Sequence, residues 1–190
     1  SLHALLIGML LFSPVNESSY SAKDKYQLER RQMVTIQIDS RHVSDGRVGV
    51  KTESVLEAML QVPRHRFVPQ KLWSRAYMDS PLPIGYDQTI SQPYIVAYMT
   101  EQLKPKEDYK ALEIGTGSGY QAAVLSKLVS HVYTIEIIEE LGQQAKKLLT
   151  DMKYKNISVK IGDGYLGWEE NAPYDIIIVT AAPDHIPPPL

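Results

Sequence analysis

Cysteine is absent from the chain, which excludes disulfides, thiolate nucleophiles and cysteine-bound zinc. Histidine is sparse. The five present, His3, His42, His65, His131 and His185, are scattered without metal-ligand spacing, so no metal centre is expected. Net charge is small, −2 at pH 7, and no stripe of lysine or arginine is visible, so nucleic acid is not an expected partner. The apolar stretch over residues 2–12 is too short to span a bilayer. It resembles the apolar region of a signal peptide, but no Met start or basic segment precedes it here. A remnant of a signal or anchor, a mis-assigned start and an extra packing segment all stay open. Residues 16–25 are polar and read as a connector, so residues 1–23 are taken as an extension and residues 24–190 as one domain.

What is present is ordinary globular material: 190 residues, 44% hydrophobic and 22% charged, enough for one core. Residues 24–41 are mixed and charged, with Leu28, Met33, Ile36 and Ile38 interspersed, and predict a helix on the domain surface. Residues 44–47 read as a turn. A second helix is predicted to open around residues 52–54, with Ser54 and Glu57 at capping-box spacing. It buries Val55, Leu56, Met59 and Leu60 and stops at Pro63. Residues 63–83, rich in proline, arginine and aromatics, read as irregular. A third helix over residues 92–103 carries Ile95, Val96, Met99 and Leu103 at helical spacing.

Strands and helices then alternate: strand 111–115, helix 120–129, strand 132–136, helix 138–152, and strands 157–161 and 175–179. This predicts a parallel α/β sheet with helices on both faces. The Ile-Ile-Ile-Val run in the last strand belongs in the middle of such a sheet, yet no later strand follows to cover it. The expectation is a domain whose C-terminal strands are absent from this chain, with residues 186–190 approaching a further helix.

The most specific stretch is residues 111–120, Ala-Leu-Glu-Ile-Gly-Thr-Gly-Ser-Gly-Tyr. A buried strand turns sharply into a helix, and the glycines Gly115, Gly117 and Gly119 let backbone N–H groups approach a ligand. A tight turn with no ligand is the competing reading. Two acids sharpen it. Glu113 precedes the turn, and Glu136 ends the next strand, where a carboxylate accepts hydrogen bonds from ribose hydroxyls. A pyrophosphate would sit badly against Glu113, and the glycine spacing departs from the dinucleotide pattern. S-adenosyl-L-methionine has no phosphate and carries an ammonium and a sulfonium, which two carboxylates suit.

Upstream, residues 79–97 read Asp-Ser-Pro-Leu-Pro-Ile-Gly-Tyr-Asp-Gln-Thr-Ile-Ser-Gln-Pro-Tyr-Ile-Val-Ala. Together with residues 112–120, Gly-Asp-Gly at 162–164 and Ile-Val-Thr-Ala-Ala-Pro at 178–183, this segment resembles the protein-L-isoaspartate (D-aspartate) O-methyltransferase family. The resemblance runs from about residue 50 to the end. It implies a Rossmann-like class I S-adenosylmethionine-dependent methyltransferase fold and a repair enzyme. A monomer with no stable membrane association is expected, in the cytoplasm because the cofactor is made there. An exported protein is the alternative raised by residues 2–12. Such an enzyme methylates the free α-carboxylate of L-isoaspartyl and D-aspartyl residues in aged proteins, leaving S-adenosyl-L-homocysteine.

The resemblance assigns Ser91 as the active-site residue and Gln88, Thr89 and Ile90 as the loop over cofactor and substrate. Ser91 also reads as the N-cap of the following helix. The cofactor-binding set is Gln88, Thr89, Ile90, Glu113, Gly115, Thr116, Gly117, Ser118, Gly119, Glu136, Asp163 and Gly164, with Asp163 on the adenine amino group or serving as a plain turn residue. Ile90, Ser91, Thr180 and Ala181 form the substrate set. Arg64, Arg66 and Arg75 read as solvated surface residues, with carboxylate binding as the alternative. Asp87 stands where the family often has glycine, which adds a negative charge near an anion pocket. An acceptor carboxylate is already ionised and nucleophilic, so alignment and desolvation matter more than a general base. A class I methyltransferase with another acceptor and a non-catalytic cofactor-binding fragment are the competing readings.

Overall fold

The computed structural model describes residues 22–181; the features read at residues 2–12 and 186–190, and most of the polar connector, lie outside the described residues. Four strands form the main sheet: β3 (Lys110–Ile114), β4 (His131–Glu136), β5 (Ile157–Ile161) and β6 (Ile176–Val179). They run parallel in the order β5-β4-β3-β6, the parallel sheet that the alternation predicts. From β3 the chain steps outward through α4 (Tyr120–Leu125) to β4 and through α5 (Glu139–Asp151) to β5. It then returns to the far side of β3. Parallel crossovers are right-handed, so two steps in one direction put α4 and α5 on one face and the return on the other.

The core agrees with this geometry. Ala111, Val132 and Ile178 pack with residues of α4 and α5, whereas Leu112, Ile114 and Ile135 pack under Trp168 and Tyr174 from the return segment. Among the described residues β6 is an edge strand, with Ile178 buried and its neighbours half-buried. The strand order reverses between β3 and β6, and open α/β sheets bind ligands at such a reversal.

Before the sheet come α1 (Ala22–Gln32), a π-helical turn (Met33–Ile38), α2 (Glu53–Gln61) and α3 (Pro93–Gln102). The expected surface helix over residues 24–41 is thus two pieces. Leu28 and Ile36 stay exposed, but Met33 and Ile38 are fully buried in the core. The irregular stretch at residues 63–83 contains two 3₁₀ turns (Arg64–Phe67 and Gln70–Arg75) and leads into a hairpin of β1 (Leu82–Gly85) and β2 (Gln88–Ile90). The expected loop at residues 88–90 is therefore a strand. At the hairpin tip Gly85, Tyr86 and Asp87 all have positive φ, 99°, 53° and 54°. That backbone favours glycine and tolerates aspartate better than most residues, and the Asp87 side chain is exposed.

Helix capping departs from the local expectations. Ser54 lies inside α2, and Thr52 takes the N-cap position without a side-chain bond. Instead the Glu101 carboxylate accepts from Lys51 N and Thr52 N, both at 2.7 Å. Ser91 does not cap α3 either. Gln92 is the N-cap residue, and Tyr94 N donates to Asp79 Oδ1 at 3.0 Å. Asp79 Oδ2 also accepts from Gln92 Nε2 at 2.8 Å and from Arg47. Along α3 the buried face is Tyr94, Val96, Ala97 and Thr100, and Ile95 is exposed.

Asp79 thus satisfies the start of α3 and anchors the segment that carries Ser91. Asp79→Ala is expected to destabilise the fold by ~1–3 kcal/mol, with Asp79→Asn closer to wild type because an amide oxygen still accepts from Tyr94 N. Urea midpoints at constant m-value check this; an unchanged midpoint for the alanine variant would refute the cap.

Candidate functional site

At the carboxyl ends of β3, β4 and β6 lies a cavity of about 220 Å³. Every residue in the cofactor, substrate and catalytic sets lines it except Gly119. The sequence assignments, drawn from segments as far apart as Gln88 and Ala181, therefore converge on one space. Gly119 stands just behind the wall: it precedes α4 with φ of 85°, and a Cβ there would meet Leu149 at 3.1 Å. Gly115, at φ of 97°, is needed for a second reason, since a Cβ would lie 2.9 Å from Thr180 Oγ1 and 3.1 Å from Ala181 N.

The turn is fixed from both neighbouring strands. Gly115 N and Thr116 N donate to Ile135 O at 2.9 and 3.2 Å, and the Thr116 and Thr134 hydroxyls pair at 2.7 Å. On the β6 side Thr180 Oγ1 donates to Ile114 O and Gly115 O at 3.0 and 2.6 Å. Glu136 closes the arrangement by accepting from Gly117 N at 2.7 Å and Ile138 N at 3.0 Å. Each of its oxygens keeps a lone pair for a further donor.

Glu113 is the opposite case. It is fully buried, and neither carboxylate oxygen meets a donor in hydrogen-bonding geometry; the nearby Thr134 hydroxyl is paired with Thr116 instead. Burial pushes its carboxyl up to about 8; the Thr134 hydroxyl pulls the other way, and the negative charge of Glu136 adds to the rise. An orphaned buried acceptor beside a backbone cradle fits a cationic amine. Asp163 is exposed at the cavity mouth and accepts from Tyr165 N at 2.9 Å, so its turn role is real and leaves its second oxygen available. The Ser91 side chain borders the cavity with its hydroxyl unbonded among the described residues, while its carbonyl accepts from Arg64 Nη2 at 2.8 Å.

Arg64 corrects the surface reading: it is fully buried, whereas Arg66 and Arg75 are exposed as expected. Sequence reasoning also missed, as lining of this cavity, the apolar side chains of Ile137, Ile138 and Leu141 together with Tyr120 and Gln121. Ile137 could have been noticed, because it directly follows the acid at the strand end, past the apolar run; the structure leaves it 68% exposed, an unusual use of an apolar side chain. Among the described residues no group of three His, Asp or Glu is arranged to hold a metal ion.

A parallel sheet that reverses order beside a glycine turn, with one hydrogen-bonded acid and one unpartnered acid at the strand ends, has the architecture of class I methyltransferases, which use S-adenosylmethionine. A family model for protein-L-isoaspartate(D-aspartate) O-methyltransferase matches residues 28–190. The chain is 56% identical over 161 residues to the protein-L-isoaspartate O-methyltransferase of a Picosynechococcus species, covering 85% of this chain and 69% of that one. It is 52% identical over 188 residues to protein-L-isoaspartate O-methyltransferase 2 of Shewanella sediminis, covering 98% and 74%. A solved structure of a protein-L-isoaspartate O-methyltransferase superposes with a TM-score of 0.70 at 28% identity, over 86% of this chain and 50% of that chain. The chain thus spans about half of that solved protein. It belongs to the protein-L-isoaspartate(D-aspartate) O-methyltransferase family.

The raised carboxyl of Glu113 has a pH consequence. With a folded value of about 8 against an ordinary 4.5, the folded chain keeps a proton that the unfolded chain has lost. This contribution to stability is therefore complete below the unfolded value and is lost as pH rises toward 8. Without ligand, wild-type stability is expected to fall across this window by at most a few kcal/mol, and Glu113→Gln to remove that fall. Denaturant midpoints at stepped pH read the slope; the same slope in both proteins would contradict the assignment.

Proposed function

We propose that this chain transfers the methyl group of S-adenosyl-L-methionine to the free α-carboxylate of L-isoaspartyl and D-aspartyl residues in damaged proteins. The observation that carries the reading is the β2 segment. Gln88, Thr89, Ile90 and Ser91, whose pattern is particular to this family, border the same cavity as the glycine turn. The acceptor and donor sites are then one space.

In this reading Glu113 faces the ammonium of the cofactor, Glu136 accepts from the ribose hydroxyls with its remaining lone pairs, and Ile137 and Ile138 flank the adenine beside Asp163. When bound, the cofactor supplies an electrophilic methyl group on a sulfonium, and the products are a methyl ester and S-adenosyl-L-homocysteine. Ser91 donates its hydroxyl to the acceptor carboxylate and fixes the attacking oxygen in line, while Thr180 and Ala181 border it from the β6 side. No proton has to leave the acceptor, so Ser91 aligns rather than deprotonates. A carboxylate and a sulfonium lose their charges together, so a water-poor site favours the less charged transition state. Gln88 and Thr89, exposed on the hairpin, exclude water once a peptide lies across them. Asp87 points to solvent at the hairpin tip, where its charge is screened.

The proposal extends to a monomer working in the cytosol, where the cofactor is made. Among the described residues no helix is long and apolar enough to cross a membrane. Residues 24–190 act as the methyltransferase domain, with residues 1–23 as an extension.

Incubation with labelled S-adenosylmethionine and matched isoaspartyl and aspartyl peptides tests the reading. Base-labile label on the isoaspartyl peptide alone is expected. Transfer to both peptides or to another acceptor class would favour a different class I methyltransferase, and cofactor binding without transfer a non-catalytic role. Ser91→Ala is expected to lower kcat by ~10- to 100-fold with the affinity for S-adenosyl-L-homocysteine within about twofold of wild type; loss of that affinity would make the serine structural.

A further inference from the structure

A fully buried guanidinium is costly unless an opposite charge meets it. Arg64 has none. Its Nε donates to Ala76 O and its Nη2 to Ser91 O, each at 2.8 Å, and its guanidinium lies 4.9 Å from the centre of the Tyr120 ring. Nη1 is buried with no partner. Among the described residues no carboxylate forms an ion pair with it. Burial works against the Arg64 charge; the nearby Tyr120 hydroxyl and, after it, Asp79 work for it. But burial pushes the Tyr120 hydroxyl up to about 12, so it stays neutral, and Asp79 is committed to Tyr94 N, Gln92 and Arg47. The molecule therefore holds one uncompensated positive charge behind Ser91 and Tyr120, both of which border the cavity.

We infer that Arg64 is the built-in counter-charge for the acceptor: a positioning residue that holds the Ser91 carbonyl and draws an anionic group onto the Ser91 hydroxyl from behind the cavity wall. The inference rests on the acceptor being a carboxylate, as proposed above. It adds a specific consequence. Substrate and product differ by one charge, the acid carrying it and the methyl ester lacking it. A buried cation beside Ser91 therefore binds the substrate and lets go of the product, and it acts on acceptor affinity rather than on cofactor affinity. A purely structural brace would support both acceptors equally.

The test is calorimetric binding of an isoaspartyl peptide and of its methyl ester to the chain saturated with S-adenosyl-L-homocysteine. Wild type is expected to prefer the acid. Arg64→Met is expected to weaken acid binding by ~10-fold or more while leaving ester binding and cofactor affinity within about twofold. Arg64→Lys, which keeps the charge without the fork, is expected to restore the preference for acid. Arg64→Gln, neutral but still able to donate to one carbonyl, carries the comparison where the methionine variant does not fold. Equal weakening of acid and ester, or no change in either, would overturn the counter-charge. Wild type binding neither peptide would overturn the acceptor reading itself, and a wild type binding both alike would overturn the counter-charge alone.

Discussion

The carboxylate of Glu136 ties two strand ends into one surface. One oxygen takes Gly117 N from the turn after β3, and the other takes Ile138 N at the start of α5. A glycine-rich turn left to itself loses much conformational freedom on ordering. Here that cost is met within the fold, before any ligand arrives. Contacts of Gly115 N, Thr116 N and Thr180 Oγ1 hold the preceding part of the same turn. Beside this satisfied acid, Glu113 is left without a partner. Two carboxylates beside one turn, from neighbouring strands, are thus driven apart in character by environment alone. One is a structural clamp with spare lone pairs, and the other is a latent anion that a cation can call out.

Strand order explains why these groups meet. β3 lies between β4 and β6, so its C-terminal end is flanked by Glu136 on one side and Thr180 on the other. The right-handed rule sends α4 and α5 to one face and the β5-to-β6 return to the other, leaving the reversal open at the strand ends. The hairpin of β1 and β2 then borders that opening. Just after β2 the chain is held by Arg64 at the Ser91 carbonyl and by Asp79 at Gln92 and Tyr94.

The strands, the glycine turn and its two acids were legible because their signals are local: continuous apolar runs, glycine spacing, and an acid at a strand end. What was not legible is informative in the same terms. Ser54 and Ser91 both carry the local chemistry of a helix cap, and both lose that position to carboxylates from elsewhere. Glu101 reaches Lys51 and Thr52 across fifty residues, and Asp79 reaches Tyr94 across fifteen. A window of a few residues cannot register such a competitor. The β2 strand is three residues long and follows a tip with positive φ at Tyr86 and Asp87, too short for alternation to appear. Arg64 sits in a run of proline, arginine and aromatics that reads as surface, and nothing in its neighbours reveals that Ala76, Ser91 and Tyr120 will enclose it.

In the proposed reaction that enclosure is the remaining physical question, because methyl transfer to a carboxylate removes charge from both reactants. A site that merely excluded water would repel an ionised acceptor by desolvation before any chemistry began. Exclusion of water becomes productive only if the protein replaces the lost hydration with fixed charges and dipoles. The orphaned Glu113 does this for a cationic donor, and the unpaired Arg64 behind Ser91 does it for an anionic acceptor. Both groups are left unsatisfied by the rest of the fold, at some cost in stability; in the proposed reaction Glu113 borders the donor's space directly, whereas Arg64 acts on the acceptor from behind Ser91. The same low-dielectric surroundings that make them costly in the free chain make their attraction for those reactants large.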